Sequence, residues 1–322
     1  MDDLHDFNEP KLYQKLFLPD ERFEEWLKEA GLLPQSCSCD KCGGEMTLKF
    51  RERDNYPTWR CGKRVEGKKC GREIGYLKGT FFEGSHLPLK DIFRLSFYFC
   101  RQTHTQELIQ FDMERANGDT LGSATISDWM EFFREVCFLY FEKHPVRLGG
   151  PGMVVEIDET VISRRKYNRG RLIREQVWFF GGVERGSGRC FIIPVERRDA
   201  ATLLPIIQNF ILPGTTIMSD MWAAYGRIDQ LPELYQHYTV NHSENFVDPD
   251  TGAYTQTIES TWNQFKRRHK EEMGTARHLL VSYIFQFVWK RQFGGRSAMF
   301  HLWSQIQELY PQGEVGTEEL AA

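Results

Sequence analysis

The sequence predicts an α/β protein whose C-terminal half carries a mixed sheet, preceded by a cysteine-rich module and a helical segment. Five of the eight cysteines fall between positions 37 and 70. Apolar residues then recur at three- and four-residue spacing through residues 88–145, the helical period. After Gly149-Gly150-Pro151-Gly152 the pattern switches to short β-rich runs alternating with helical ones, which is the order of an α/β or α+β domain.

Residues 1–34 read as a helical lead-in, with Leu12, Leu16, Phe23, Trp26 and Leu27 on apolar stripes. Residues 35–82 form the cysteine-rich module and 83–148 the helical region. In the latter, Ile92, Leu95 and Phe99 make one stripe, and Trp129, Phe132, Phe133, Val136, Leu139 and Tyr140 a second. Thr105–Ala116, a turn through Asn117-Gly118 to Gly122, and a helix from Ser123 or Thr125 to Glu142 have the layout of a helix-turn-helix, with Trp129 and Phe132 on the packing side. Helical packing without a DNA role reads the same pattern equally well.

The α/β domain is expected over 149–296, followed by a tail, 297–322. Met153–Ile157, Val177–Val183, Cys190–Val195, Thr215–Ser219 and His237–Asn241 read as strands. Arg185-Gly-Ser-Gly188 joins two of them as a hairpin. Ala200–Leu212, Thr257–Lys270 and His278–Phe293 read as helices.

Bulk composition narrows the function classes. Hydrophobic content of 41% supports a sizeable core, and the longest apolar run, Leu279–Trp289, falls short of the roughly 20 residues that span a bilayer. The acidic start lacks the character of a secretory signal, so an intracellular protein without a membrane role is expected. The net charge is −4, but residues 1–30 hold nine acidic and four basic side chains, which leaves the remainder at +1. That remainder includes RRKYNRGRLIR at 164–174 and KRRHK at 266–270. Such runs are nucleic-acid contacts or merely solvated surface.

Cys39 and Cys42 make a CxxC knuckle, with Cys61 after 18 residues and Cys70 after eight more. Two knuckles of thiolates can surround Zn²⁺ tetrahedrally, and the first pair and the long gap match a zinc ribbon. The Cys61–Cys70 spacing is wide, so Gly62–Lys69 must be an inserted loop, and Cys37 is a spare that could replace Cys39. Cys100, Cys137 and Cys190 sit in apolar surroundings and read as core thiols.

Three acids stand out. Asp158 ends Val154-Val-Glu-Ile-Asp, and Asp220 ends Thr216-Ile-Met-Ser-Asp. Two strands ending in Asp can hold two carboxylates side by side, although Asp220 is also placed to cap a following helix. In the third helical stretch Ile258, Trp262 and Phe265 form a core stripe, and Glu259, Asn263 and Lys266 the adjoining one. Glu259 and Lys266 are too far apart for a helix-surface ion pair, so a shared ligand such as a phosphodiester would explain the pairing, with a solvated face as the equal alternative. Two strands and a helix supplying three carboxylates suit two Mg²⁺ (or Mn²⁺) ions about 4 Å apart. Glu156 and Glu159, flanking Asp158, are the rivals for its role.

Taken together, these motifs resemble Merlin-type DDE transposases and their bacterial insertion-sequence (ISXO2-like) relatives. The resemblance rests on Val155-Glu-Ile-Asp158-Glu, Ser219-Asp220-Met-Trp-Ala-Ala-Tyr225, Val240-Asn-His-Ser243, Asn245-Phe-Val-Asp-Pro and Thr257-Ile-Glu259-Ser-Thr-Trp262 through Lys266. It implies a ribonuclease-H-like catalytic domain that cuts and pastes double-stranded DNA between terminal inverted repeats and joins it to target DNA. It further implies an Asp158, Asp220, Glu259 triad with Lys266 as the accessory basic residue and His242 as a further site residue. A homodimer or higher homo-oligomer acting in the nucleus, or in the cytoplasm of a bacterial host, is expected. Arg164, Arg165, Lys166, Arg169 and Arg171 are expected to form a DNA-contacting arm after the first catalytic strand. The competing reading is a domesticated DNA-binding protein that kept the fold and lost the chemistry.

Overall fold

The computed structural model describes residues 1–50, 56–102, 104–162, 177–241, 254–271 and 279–312. They belong to two compact units, Met1–Tyr140 with Gly294–Ala322, and Phe141–Phe293.

The first unit opens with α1 (Glu9–Leu16) and α2 (Asp20–Glu29). Asn8 caps α1 by accepting from the Lys11 N–H at 3.2 Å, and Leu12, Phe23 and Leu27 are buried as their spacing predicts. A three-stranded antiparallel sheet follows, built from β1 (Met46–Lys49) and β2 (Thr58–Cys61). A small hairpin, β3 (Arg64–Val65) with β4 (Lys68–Lys69), leads on to the third strand, β5 (Glu73–Gly75). Next comes α3 (Leu89–Arg101), whose buried residues include Ile92, Leu95 and Phe99.

α4 spans only Gln106–Asp112, with Thr105 as its N-cap, so the helix expected to reach Ala116 stops early. The cause is local. Asn117 accepts from the Asp119 N–H, and Gly118 takes a φ of 81°, so the chain turns before the helix can extend. α5 runs Ser123–Lys143. Ile126, Trp129, Phe133 and Val136 are buried on it, whereas Phe132 is 44% exposed, against the expectation that it packs. At 100° per residue Phe132 lies off the stripe that passes through 126, 129, 133 and 136.

The second unit is a mixed α/β domain. Its five-stranded sheet comprises β7 (Val154–Ile162), β8 (Val177–Glu184), β9 (Cys190–Val195), β11 (Thr216–Asp220) and β12 (Gln236–Val240). A two-stranded ladder pairs β6 (Leu148–Gly149) with β10 (Ile211–Leu212). The sheet order is β12-β11-β7-β8-β9. β8 is antiparallel to both neighbours, while β7, β11 and β12 run parallel. The β8–β9 hairpin turns at Arg185–Gly188 as predicted, with Gly186 and Gly188 at positive φ.

α6 (Ala200–Phe210) is capped by Asp199, which accepts from the Thr202 N–H at 2.9 Å. Its Leu203 and Ile207 join Val155, Ile157, Phe180 and Ile217 in the core on one face of the sheet. α7 (Gln256–Glu271) lies against β7 and β8 on the other face, and α8 (Leu280–Phe293) packs on β9.

The last stretch belongs to the first unit again. The segment read as a tail contains a helix, α9 (Ala298–Leu309). Met299, Leu302, Trp303 and Ile306 are buried at helical spacing, and the Trp303 indole donates to Ser96 Oγ of α3 at 2.9 Å. Among the described residues no helix is long and apolar enough to cross a membrane.

Candidate active site

Asp158 sits within β7, and its ladder partner on β8 is Gly181. The β7–β11 register pairs Val154 with Thr216 and Glu156 with Met218, and strand alternation puts Asp158 and Asp220 on the same face as these pairs. Glu259 lies in the first turn of α7, the helix on that face. Burial, reinforced by the charges of Glu159, Asp220 and Glu259, pushes the Asp158 carboxyl up to about 7, even though the Glu159 N–H partly opposes the rise. The three expected acids are thus brought together. Three carboxylates are oxygen donors of the kind that Mg²⁺ or Mn²⁺ takes, although among the described residues only the four cysteines bring their ligand atoms within 4.8 Å of one another.

The two rivals of Asp158 have other surroundings. Glu156 is fully buried. Its Oε1 accepts from Arg185 Nε at 2.6 Å, and its Oε2 from the N–H groups of Thr257 and Ile258 at 2.8 and 2.9 Å. It therefore holds the start of α7, the turn that carries Glu259, where a carboxylate also meets the positive end of the helix dipole. Arg185 is fixed in turn by a 2.7 Å bond to the Tyr254 carbonyl and by lying 3.4 Å over the Tyr254 ring. Glu159 points to the opposite face, next to the Tyr225 side chain, and burial raises its carboxyl.

Trp262 sets the height of α7 on the sheet. An added Cβ at Gly181 would meet the Trp262 ring at 2.6 Å and the Phe191 carbonyl at 2.9 Å. The bare backbone of β8 opposite Asp158 is what lets the helix come so near. Ile258, Trp262 and Phe265 are all buried, as the helical register predicts. Asp220 is not a helix N-cap: Trp222 holds that position before the short 3₁₀ turn at Ala223–Tyr225, and the Asp220 Oδ1 accepts from the Trp222 N–H at 3.0 Å in a local turn.

Lys266 is half-buried on α7, two turns beyond Glu259. His242 and the arm residues Arg164, Arg165, Lys166, Arg169 and Arg171 lie outside the described residues.

In the first unit, Cys39, Cys42, Cys61 and Cys70 bring four sulfurs within 4.8 Å of one another. The Cys39–Cys70 and Cys42–Cys61 separations are 3.7 and 3.4 Å. A tetrahedron with Zn–S bonds of about 2.3 Å has edges of about 3.8 Å, so the cluster fits zinc. The β3–β4 hairpin is the inserted loop. It closes on itself, with the Cys70 N–H donating to the Lys63 carbonyl at 2.8 Å, and so returns Cys70 to Cys61. Cys37 is excluded from the cluster because its thiol faces Met46 Sδ at 3.7 Å. Arg72 makes a paired contact with the Asp40 carboxylate, at 2.9 and 2.6 Å, and so ties one knuckle to the other. Burial raises the Cys39 thiol, but the N–H groups of Lys41 and Cys42 outweigh it and bring it down to about 7, nearer the ligating thiolate form.

Not foreseen in the sequence were the Glu156–Arg185 clamp, the Gly181–Trp262 contact, and a stack of Trp178, Arg198 and Trp222 near Asp220. Consecutive glycines inside an apolar strand, Gly181-Gly182, were the one available signal, since they mark a close approach.

The fold and site define a mixed α/β domain with neighbouring acids, and comparison finds a family that it resembles. Residues 147–292 match the ISXO2-like transposase domain family. The chain is 23% identical over 318 residues to male abnormal protein mab-31 of Caenorhabditis elegans, covering 93% of this chain and 70% of that protein. It is 23% identical over 297 residues to an uncharacterized protein in transposable element ISH50 of Halobacterium salinarum, covering 85% and 94%. Among solved structures, the catalytic core domain of BIV integrase is 16% identical, with a TM-score of 0.31, over 48% of this chain and 97% of that one.

Proposed function

We propose that this chain is a DNA transposase that binds the terminal inverted repeats of an element and cuts and rejoins DNA there. The sheet order β12-β11-β7-β8-β9, with β8 alone reversed, supports a ribonuclease-H-like catalytic domain. One observation carries the chemistry: Asp158 and Asp220 lie on neighbouring strands, on the face covered by the helix of Glu259, and the Asp158 carboxyl is raised by burial and by those two charges. Asp158, Asp220 and Glu259 would hold two Mg²⁺ or Mn²⁺ ions, which supply charge stabilisation at the attacking and leaving oxygens. Glu156 keeps the Glu259 turn in place, and Lys266 neutralises phosphate charge beside the acids. His242 is assigned to the same site.

Cys39, Cys42, Cys61 and Cys70 form a zinc ribbon around one Zn²⁺. The ribbon, the helix-turn-helix-like pair α4 and α5, and the arm of Arg164, Arg165, Lys166, Arg169 and Arg171 contact duplex DNA. The working form is a homodimer or larger homo-oligomer, in the nucleus or a bacterial cytoplasm.

The test is cleavage of duplex DNA carrying the element's ends in Mg²⁺ or Mn²⁺. Wild-type chain should cut, and Asp158→Asn, Asp220→Asn and Glu259→Gln should each abolish cutting while DNA binding persists. Undiminished cleavage by the Asp220→Asn chain overturns the triad. Binding without cleavage by the wild type favours the alternative of a DNA-binding protein that has lost the chemistry.

A further inference from the structure

Beside Asp220 the surface changes character. Trp222, two residues on, is 44% exposed, and its neighbour Met221 is 65% exposed. The Trp222 indole is not loose. Its Nε1–H donates to the Arg198 carbonyl at 3.0 Å, and its backbone N–H is held by the Asp220 carboxylate. The Arg198 guanidinium lies 3.7 Å over the Trp178 ring and 5.2 Å from the Trp222 ring centre, between the two indoles. It is also close enough to Glu159 for its charge to oppose part of the rise that burial causes there.

A solvated surface has no need of this arrangement. An exposed indole pinned at both its ring nitrogen and its backbone has lost its freedom before any ligand arrives, so a flat partner that stacks on it costs little further ordering. The guanidinium supplies positive charge at a centre otherwise dominated by acids. Aromatic faces interleaved with an arginine are the chemistry that recognises unpaired nucleobases on a phosphate backbone. The platform adjoins Asp220, so what stacks there belongs to the strand whose phosphate reaches the acids. A base inside an intact duplex is stacked on its neighbours and cannot reach the ring; a base at an unpaired end can.

We propose that Trp222, backed by Arg198 and Trp178, is a stacking platform for an unpaired base of the DNA strand that enters the acid cluster. This rests on the nuclease reading above and adds a substrate feature to it, namely a frayed or single-stranded nucleotide next to the scissile phosphate.

The test uses the full chain, in Ca²⁺ so that binding is read without cleavage. Two probes are compared: a blunt duplex, and the same duplex with a short unpaired 3′ extension carrying 2-aminopurine. Wild type should bind the extended probe more tightly and quench its fluorescence. Trp222→Ala should lose roughly tenfold of affinity for the extended probe, and the quenching, with little change on the blunt duplex. Trp222→Phe keeps a ring and should keep most of both, which guards against an effect of misfolding in the alanine variant. Equal affinity and quenching in wild type and Trp222→Ala overturn the platform, as does a Trp222→Phe chain no better than Trp222→Ala. Cleavage of end-bearing duplex in Mg²⁺, run alongside, judges the nuclease reading separately: a chain that cuts DNA but shows none of these differences refutes the platform alone.

Discussion

Gly181 and Trp262 are in mutual contact so close that no side chain fits between them: a Cβ on Gly181 would stand 2.6 Å from the indole. Since Gly181 is the ladder partner of Asp158, the contact fixes how near the helix of Glu259 comes to the first acid. Gly181→Ala should therefore destabilise the chain by about 2 kcal/mol through overpacking and lower cleavage further than stability explains. Thermal unfolding and cleavage at a temperature well below the midpoint separate the two. A Gly181→Ala chain with wild-type midpoint and rate would show that the helix can shift freely.

Glu156 acts on the same helix from its end. Glu156→Ala strips the partner from Arg185 and from two helix N–H groups in a buried place, and should cost about 3 kcal/mol or more. Glu156→Gln keeps an acceptor oxygen and should retain most of the fold. Because its role is to position Glu259, its mark is a raised Mg²⁺ concentration for half-maximal cleavage, partly rescued by Mn²⁺, with DNA affinity unchanged. If Glu156→Gln leaves the metal requirement as in wild type, the carboxylate is only a structural cap.

The cysteine cluster should carry one tightly bound Zn²⁺ per chain, and in so small a module the metal should contribute most of the local folding free energy. Elemental analysis of purified chain, and of a Cys42→Ser/Cys61→Ser double variant, checks this. Cys37→Ser should retain the metal, because that thiol faces Met46 instead. Full zinc in the double variant, or none in the wild type, contradicts the assignment.

Acid should loosen the second unit through Glu184. Burial alone would raise this carboxyl, but Arg189, the Ser187 hydroxyl and the Gly149 N–H together hold it below its ordinary value of 4.5. A carboxyl depressed on folding contributes stability that is full above 4.5 and is lost as pH falls through the lower folded value. Unfolding midpoints measured from pH 6 down to pH 3 should fall less steeply for Glu184→Gln than for wild type, although that variant starts lower. Parallel profiles would mean that Glu184 titrates alike in both states.

The arm is a matter of charge. Replacing Arg164, Arg165 and Lys166 with Ala should weaken binding to all duplex sequences and flatten its salt dependence by about 0.9 log–log units per lost phosphate contact. Lys266→Ala should cost cleavage more than binding, since one charge beside the scissile phosphate matters most as the transition state forms. A titration series at several salt concentrations reads the first effect; an unchanged slope for the triple variant means that the run is solvated surface.

Local pattern was enough to read much of this protein. Helical spacing of Ile258, Trp262 and Phe265 placed a core stripe that is buried as read, and Asp220 closes its strand as read, whereas the strand of Asp158 runs on to Ile162 because β8 pairs with it that far, so Asp158 is not a strand end. The four cysteines were legible because knuckle spacing is itself a chain-length constraint. Helix ends were read less well. An Asn117 turn cut α4 short, and the tail concealed α9, whose stripe of Met299, Leu302, Trp303 and Ile306 gains its meaning from α3 to pack against.

What the sequence by itself determined was therefore each element's period and the chemistry of the residues it carries, because both depend on neighbours along the chain. Tertiary structure alone decided where each acid stands. Asp158, Glu156 and Glu159 stand within four consecutive positions and look equivalent as letters. Strand alternation sends Glu159 to the far face, and the arrival of the α7 N–H groups and Arg185, up to about a hundred residues away and some thirty, occupies Glu156 with structure. Asp158 is left near both Asp220 and Glu259, and its raised carboxyl exists only because the fold removes water and gathers like charges around it.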